Sequence, residues 1–421
     1  MRIIISNRRR STQIDRGRPA APVLLATQAM FNIGFYAVVP FLALVLSRDF
    51  GLAAAAIGLV LGIRTFAQQG LFVVGGSLAD RAGARTIILA GVAIRVTGFL
   101  LLSGALLTPA PSFALFLAGT VLTGIGGALF SPGLNTLVAA AEGAGARGRV
   151  TLFAWLTVAG ELGAVLGPLL GAALLGLGFA VAAAAGAAYF AAIGITLAFL
   201  LPRARRTEGG NPTPLRSALR DRALRRFAAL HSVDLLAYNQ LYLAVPLVLA
   251  GGAAAVQTTA AVFAWASALT LVGQLPVARW TARLGASRAL RVAYLCSAAG
   301  FALIAAASTA PDPTRTMLVF AATTSFILGH LAANPTALHL IPAVARPGAI
   351  GASFGLLATA GGAAVLTGNV GGGLLLDALP EAWSWLPWLL LGGACVASAV
   401  LVRGALTALR QHSPVVSRSA R

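Results

Sequence analysis

The sequence predicts an all-α integral membrane protein with twelve transmembrane helices arranged as two six-helix pseudo-repeats. Three observations carry this prediction: the composition, the length of the apolar runs and the placement of arginine. Of 421 residues, 58% are hydrophobic and 48 are glycine, while 10% are charged. Soluble domains carry about 25% charged residues. The mean hydropathy of +0.87 points the same way. These values exclude a soluble enzyme, a disordered chain and a fibrous protein. Runs such as Ile87–Leu107 and Phe179–Leu201 lack the alternation of a barrel strand. They have the ~20-residue length of a helical span, in which the backbone satisfies its own hydrogen bonds inside lipid.

Taken in order, the apolar runs place spans at 23–46, 57–79, 87–107, 113–139, 150–175, 179–201, 227–250, 256–278, 292–308, 316–343, 350–376 and 385–402. A basic tail, 1–22, precedes them. The stretch 202–226 is polar, basic and punctuated by Gly209, Gly210, Pro212 and Pro214, the composition of a linker. It separates a six-helix bundle at 23–201 from a second at 227–402, and a tail follows at 403–421. The end of the linker, Leu215–Phe227, has the pattern of a short amphipathic helix on the membrane surface. No small-residue cleavage site follows a short apolar core, and the first apolar run is long enough to span, so no cleaved signal peptide is expected.

Arginine tests the topology. All 31 basic residues are Arg, and 27 of them fall in the tails and in the loops after even-numbered spans. The opposite side holds Arg48 and Arg315, and Arg64 and Arg95 lie within spans. This is the positive-inside pattern, with both termini cytoplasmic. The expected setting is the inner (plasma) membrane of a bacterium. The net charge of +20 would suggest nucleic-acid binding in a soluble protein, but its distribution here argues against it. Cys296 and Cys395 both lie in apolar runs and read as small buried hydrophobes. No residue spacing suggests a metal site.

The two halves repeat one another. Gly126 with Phe130-Ser131-Pro132 matches Gly329 with Ala333-Asn334-Pro335 at an offset of 203. Arg81-Ala82-Gly83 matches Arg283-Leu284-Gly285 at 202, and Gly167-Pro168-Leu169-Leu170-Gly171 matches Gly368-Asn369-Val370-Gly371-Gly372 at 201. Such duplication is typical of secondary transporters, whose sites lie between the repeats near the bilayer midplane.

After span 2 the chain reads Gly76-Ser-Leu-Ala-Asp80-Arg81-Ala-Gly83-Ala84-Arg85. This resembles the signature of the major facilitator superfamily, G-x-x-x-D-R-x-G-R-R, and departs from it at Ala84. Gly76 permits close helix approach and Gly83 a tight turn. Asp80 suits the positive end of a neighbouring helix. Arg81 and Arg85 stay in water and can pair with acids. The resemblance implies that this loop is a conformational latch. The second-half copy has Ala282 in place of the aspartate, so the latch is expected to be asymmetric. In span 5, Gly163-Ala-Val-Leu-Gly167-Pro168-Leu-Leu-Gly171-Ala172 resembles the antiporter signature of drug:proton exchangers in the same family. Its glycines make a flat packing face and Pro168 frees a carbonyl. The family's arginine in span 4 is missing, since Thr120 stands four residues before Gly124, and Arg95 in span 3 is its candidate replacement.

Charges inside spans cost ~2.5–3.5 kcal/mol on insertion scales and are functional candidates by default. Glu161 lies near the middle of span 5. Asp234 lies in span 7, with His231 three residues earlier on the same helical face. Asp234, His231, Glu161 and Arg95 are the proton-coupling candidates. Structural pairs Glu161–Arg95 or Asp234–Arg64 are the alternative. The resemblance implies that spans 1, 4, 7 and 10 line the cavity. That makes Asn32, Tyr36, Asn135, Tyr238, Gln240, His330 and Asn334 the substrate-cavity candidates.

The resemblance as a whole implies a proton-coupled drug exporter that works by alternating access as a monomer. Its partners would be the bilayer, a small-molecule substrate and protons, with no cofactor and no catalytic residues. A metabolite carrier of the same fold with a narrow polar substrate is the alternative, and a non-transporting sensor or scaffold a remote one. No P-loop occurs, so ATP is not the expected energy source.

Overall fold

The computed structural model describes residues 21–72, 74–75, 78, 82–107, 110–142, 152–201, 220–252, 254–344 and 350–411. All described regular structure is helical. Span 1 consists of α1 (Ala21–Tyr36), a 3-10 turn at Val39–Phe41 and α2 (Leu42–Arg48). Spans 2 to 6 are α3 (Ala54–Gly70), α4 (Ala84–Gly104), α5 (Phe113–Glu142), α6 (Leu152–Leu175) and α7 (Phe179–Leu200). Span 7 is again broken, into α8 (Arg222–Asn239) and α9 (Ala244–Leu249). Spans 8 to 12 are α10 (Ala255–Leu284), α11 (Ala286–Thr309), α12 (Thr314–Val344), α13 (Ile350–Ala378) and α14 (Leu386–Gln411). Among the described residues, eleven segments are long and apolar enough to cross a membrane. The twelfth, α3, has 17 residues and ends at Gly70.

The breaks in spans 1 and 7 repeat with the duplication. α1 ends at Tyr36 and α8 at Asn239, an offset of 203; α2 begins at Leu42 and α9 at Ala244, an offset of 202. Pro40 sits at the start of the 3-10 turn within the first break and Pro246 in the first turn of α9, positions where a missing N–H costs nothing. The repeated loop glycines also have a shared backbone role. Gly83 caps α4 with φ +86° and Gly285 caps α11 with φ +75°. Only glycine adopts this region cheaply. That requirement explains why both copies keep glycine although Asp80 and Arg85 are replaced by Ala282 and Ser287.

Several boundaries differ from those expected. α10 and α11 run through to Gly285, so the arginine-rich loop expected between 278 and 292 shrinks to one residue. α14 continues to Gln411, and α8 begins at Arg222 inside the expected linker. There Asp221 accepts a hydrogen bond from the Leu224 N–H at 3.0 Å, a helix N-cap. Hydropathy marks where lipid ends; helix propensity and caps decide where the helix ends. Most of the linker, including the 215–219 portion of the expected amphipathic helix, lies outside the described residues, as do residues 1–20 and 412–421.

Two apolar cores hold the bundle. One joins Phe31, Phe99, Phe116, Phe130 and Phe190 of the first half, with Phe31 stacked on Phe130 at 3.5 Å. The other joins Phe227, Tyr294, Phe301, Phe326 and Trp388 of the second. The halves meet along two seams, α3 against α13 and α6 against α10. The end of the bundle where α1 begins is called here the N-terminal face, and the other end the far face. Near the far face each core takes residues from the opposite half: Phe41 and Leu44 enter the second core and Leu243 the first. Large side chains such as Phe199, Val272 and Met317 are exposed around the outside, where a bilayer would cover them.

Candidate transport site

Between the halves, on the side of the N-terminal face, lies a cavity of about 730 Å³. Its wall takes Gln69 and Phe72 from span 2, Asn135 from α5, His231, Asp234 and Tyr238 from α8, His330 and Asn334 from α12, and Phe354 and Leu357 from α13. Six of the predicted site residues, Asn135, His231, Asp234, Tyr238, His330 and Asn334, therefore share one space. The cavity lies within the 300–1,000 Å³ typical of small-molecule sites, and its wall combines apolar surface with a few polar groups.

Asp234 is the chemical centre of this wall. It is buried, and both its carboxylate oxygens lie 3.1 Å from Nδ1 of His330. With the proton on Nδ1, His330 donates to Asp234 and joins α8 to α12. His231 approaches the same carboxylate at 4.0 Å through Nε2, while its Nδ1 meets the Tyr294 hydroxyl at 3.0 Å. The His330 ring rests against Tyr238 with centroids 4.5 Å apart. The arrangement is a carboxylate between two imidazoles with a phenol behind it, a set of groups able to hold and exchange a proton. His330, assigned from the sequence to the substrate cavity, is thus a closer partner of Asp234 than His231.

Glu161 does not line the cavity but interacts with one edge of this cluster. The Ser267 hydroxyl of α10, His330 of α12 and the phenols of Tyr36, Tyr238 and Tyr242 are the groups it acts on or is acted on by. The backbone before it is held to α1, where Asn32 Nδ2 donates to the Gly160 carbonyl at 2.9 Å and Gln28 bonds Asn32 at 3.2 Å. Asn32 is therefore occupied in joining α1 to α6. Tyr36 packs against Gly167 and lies 6.2 Å from the Phe263 ring. The face formed by Gly163, Gly167 and Gly171 meets span 1 at Ala29, Ile33 and Ala37, and buried Pro168 lies on the same helix as these glycines. The antiporter motif thus packs within the first half.

Gln240 also lies away from the cavity. It is buried in a network in which its Nε2 donates to Asn369 Oδ1 at 3.2 Å, Asn369 donates to Asn239, and Asn239 donates to Thr65 Oγ1 at 3.2 Å. This network ties span 7 to α13 and, across the halves, to α3. Arg95 is fully buried within the first half. Its Nη2 donates to the Thr123 carbonyl of α5 at 2.9 Å, and its guanidinium lies 4.2 Å from the Phe31 ring centroid. The neighbour Arg64 lies 5.0 Å from the Phe35 centroid and donates to Gln68. Among the described residues neither arginine makes an ion pair, so the alternative pairings Glu161–Arg95 and Asp234–Arg64 do not form. Arg95 does reach span 4 one turn from Thr120, close to where the family's missing arginine would stand.

Of the latch motif, Gly76, Asp80 and Arg81 lie outside the described residues. Arg85 is described and donates to the Ala198 carbonyl near the end of α7 at 2.6 Å. Sequence reasoning missed Gln69 and Phe72 in the cavity, and missed Arg48, Thr65 and Asp377 at the contacts between the halves. The position of Asn369 in the repeated glycine motif was the one available signal for that network.

The sequence model of the Major Facilitator Superfamily matches residues 24–253. The multidrug resistance protein MdtH of Aeromonas hydrophila is 32% identical over 397 residues, covering 92% of this chain and 96% of the relative. An uncharacterized MFS-type transporter of Mycobacterium tuberculosis is 35% identical over 369 residues, covering 85% of each chain. In fold, the nucleoside transporter NupG superposes with a TM-score of 0.76 at 13% identity, covering 91% of this chain and 99% of that one. A peptide transporter of the POT family gives 0.77 at 14% identity, covering 95% and 98%. Duplicated six-helix halves, a cavity between them and near full-length kinship converge: this chain belongs to the major facilitator superfamily and is a secondary transporter.

Proposed function

We propose that this transporter exports bulky amphipathic molecules, drugs among them, in exchange for protons. The observation that carries the reading is the placement of the Asp234–His330 pair in the wall of a largely apolar cavity. An apolar cavity with few polar groups takes amphipathic ligands of varied shape, whereas a sugar needs a dense polar set. Kinship with a protein named for multidrug resistance supports the same class. With 27 of 31 arginines in the tails and in the loops after even-numbered spans, the N-terminal face is cytoplasmic and the chain sits in a bacterial inner membrane. The cavity then faces the cytoplasm, ready to load substrate for export.

In this mechanism the carboxylate of Asp234 exchanges its hydrogen bond with His330 for a proton. Loss of that bond loosens the α8–α12 contact, so the proton acts through a difference in affinity between two states of the bundle. Glu161 is a second carrier at the α6–α10 seam. The test is extrusion of a lipophilic cation dye from proteoliposomes with an imposed proton gradient. Extrusion abolished by an uncoupler supports proton exchange. Extrusion that ignores the uncoupler overturns it. If no dye moves but a polar metabolite does, the narrow-substrate alternative is correct.

A further inference from the structure

We propose that the halves are latched at the far face by reciprocal capping of helix ends. Asp377 of the second half caps the N-terminus of α3 in the first, and Arg48 of the first half caps the C-terminus of α9 in the second. The two carboxylate oxygens of Asp377 each accept one orphan N–H, from Ala54 at 2.8 Å and Ala55 at 2.9 Å. Nη2 of Arg48 donates to the Ala250 carbonyl at 2.6 Å and to the Gly252 carbonyl at 3.4 Å. Each contact places a charge on the complementary end of a helix dipole, and each satisfies backbone groups that the helix itself leaves unpaired.

The duplication shows what these contacts are for. The repeat offset of 202 that relates the halves relates Arg48 to Ala250 itself. A residue that touches its own repeat counterpart sits beside the pseudo-twofold axis, so Arg48 closes the centre of the far face. The counterpart of Asp377, at the offset of 201 that relates span 5 to span 11, is Gly176, which has no side chain to cap a helix and follows Leu175, beside Val256 at the start of α10. The polar contact is therefore confined to the α3–α13 seam, and the α6–α10 seam is apolar there. Directly beneath Asp377, Gly58 is so close to the Asn369 carbonyl that a side chain on it would collide, and the Thr65–Asn239–Asn369 network closes the next layer. Opening the far face must break all of these together. An exposed cap exchanges quickly with water and holds the face shut only weakly, as a reversible gate requires.

This inference rests on alternating access, and its test separates the two ideas. Spin labels at Leu107→Cys and Glu381→Cys, with Cys296→Ser and Cys395→Ala, report the separation of the far-face ends in the purified transporter. Losing one helix cap costs about a fivefold shift in an equilibrium. Asp377→Ala and Arg48→Ala should each raise the ratio of separated to closed populations by about that factor. The double variant should do so multiplicatively, and Asp377→Asn, which still accepts a hydrogen bond, should restore most of the closed state. Gly58→Val opens the same seam by collision and serves as the independent comparison. If Gly58→Val separates the labels and the double variant does not, the latch is wrong. If no variant separates them while the protein still transports dye, alternating access at this face is wrong and the latch falls with it.

Discussion

Asp234 is the residue on which the proposed proton exchange rests, and its partners rank by distance. His330 touches the carboxylate at 3.1 Å and His231 stands at 4.0 Å. We expect Asp234→Asn to cut uncoupler-sensitive dye extrusion about tenfold or more while dye binding persists, a loss of about 1.4 kcal/mol of coupling or greater. His330→Gln should follow it more closely than His231→Gln; the reverse order in the same assay would refute the assignment. The Asp234–His231 pair was legible because three residues make nearly one helical turn. The bond to His330, 96 residues away, was not, since no local spacing encodes it. Arg95 poses the opposite problem, a buried cation with no acid among the described residues. Desolvation of an unpaired charge exceeds what three aromatic faces and one carbonyl return. Arg95→Met should therefore leave the unfolding temperature in detergent unchanged or raised. A fall beyond about 5 °C, roughly 2 kcal/mol or more for a chain of this size, would show that the aromatic contacts prevail.

Helix α6 shows how an element can be read correctly in kind and not in place. The sequence shows a small-residue face at Gly163, Gly167 and Gly171, and small residues let helices approach closely. It does not show which neighbour that face meets, and the structure gives α1 of the same half. Gly167→Val would drive a branched side chain into Tyr36 and the Ile33 carbonyl. Overpacking of this kind costs about 1–3 kcal/mol. We expect thermal unfolding in detergent to begin measurably earlier, and a variant as stable as the parent would show that α1 and α6 can separate freely. The breaks in spans 1 and 7 were hidden within runs read as continuous, because hydropathy is blind to a helix that pauses for a few apolar residues. Their recurrence at offsets of 203 and 202 shows that the break belongs to the duplicated unit.

At the scale of the whole molecule, topology is the reading most directly open to chemistry. Cysteines introduced at Leu107 and Glu381, at the far face, should react with a membrane-impermeant maleimide added to intact cells. A cysteine at exposed His339, near the N-terminal face, should react after the membrane is opened. Reversal of the two patterns would overturn the orientation drawn from arginine. Composition, run length and arginine placement determined that this chain spans a membrane many times as two repeated halves, because lipid dictates helix length and charge placement residue by residue. The tertiary structure alone decided that His330 belongs to Asp234, that Gln240 and Asn369 lock a seam, and that Arg48 and Asp377 cap helices in the opposite half. Each of those contacts joins residues far apart in sequence, and only the packing of one helix against another brings them within hydrogen-bonding reach.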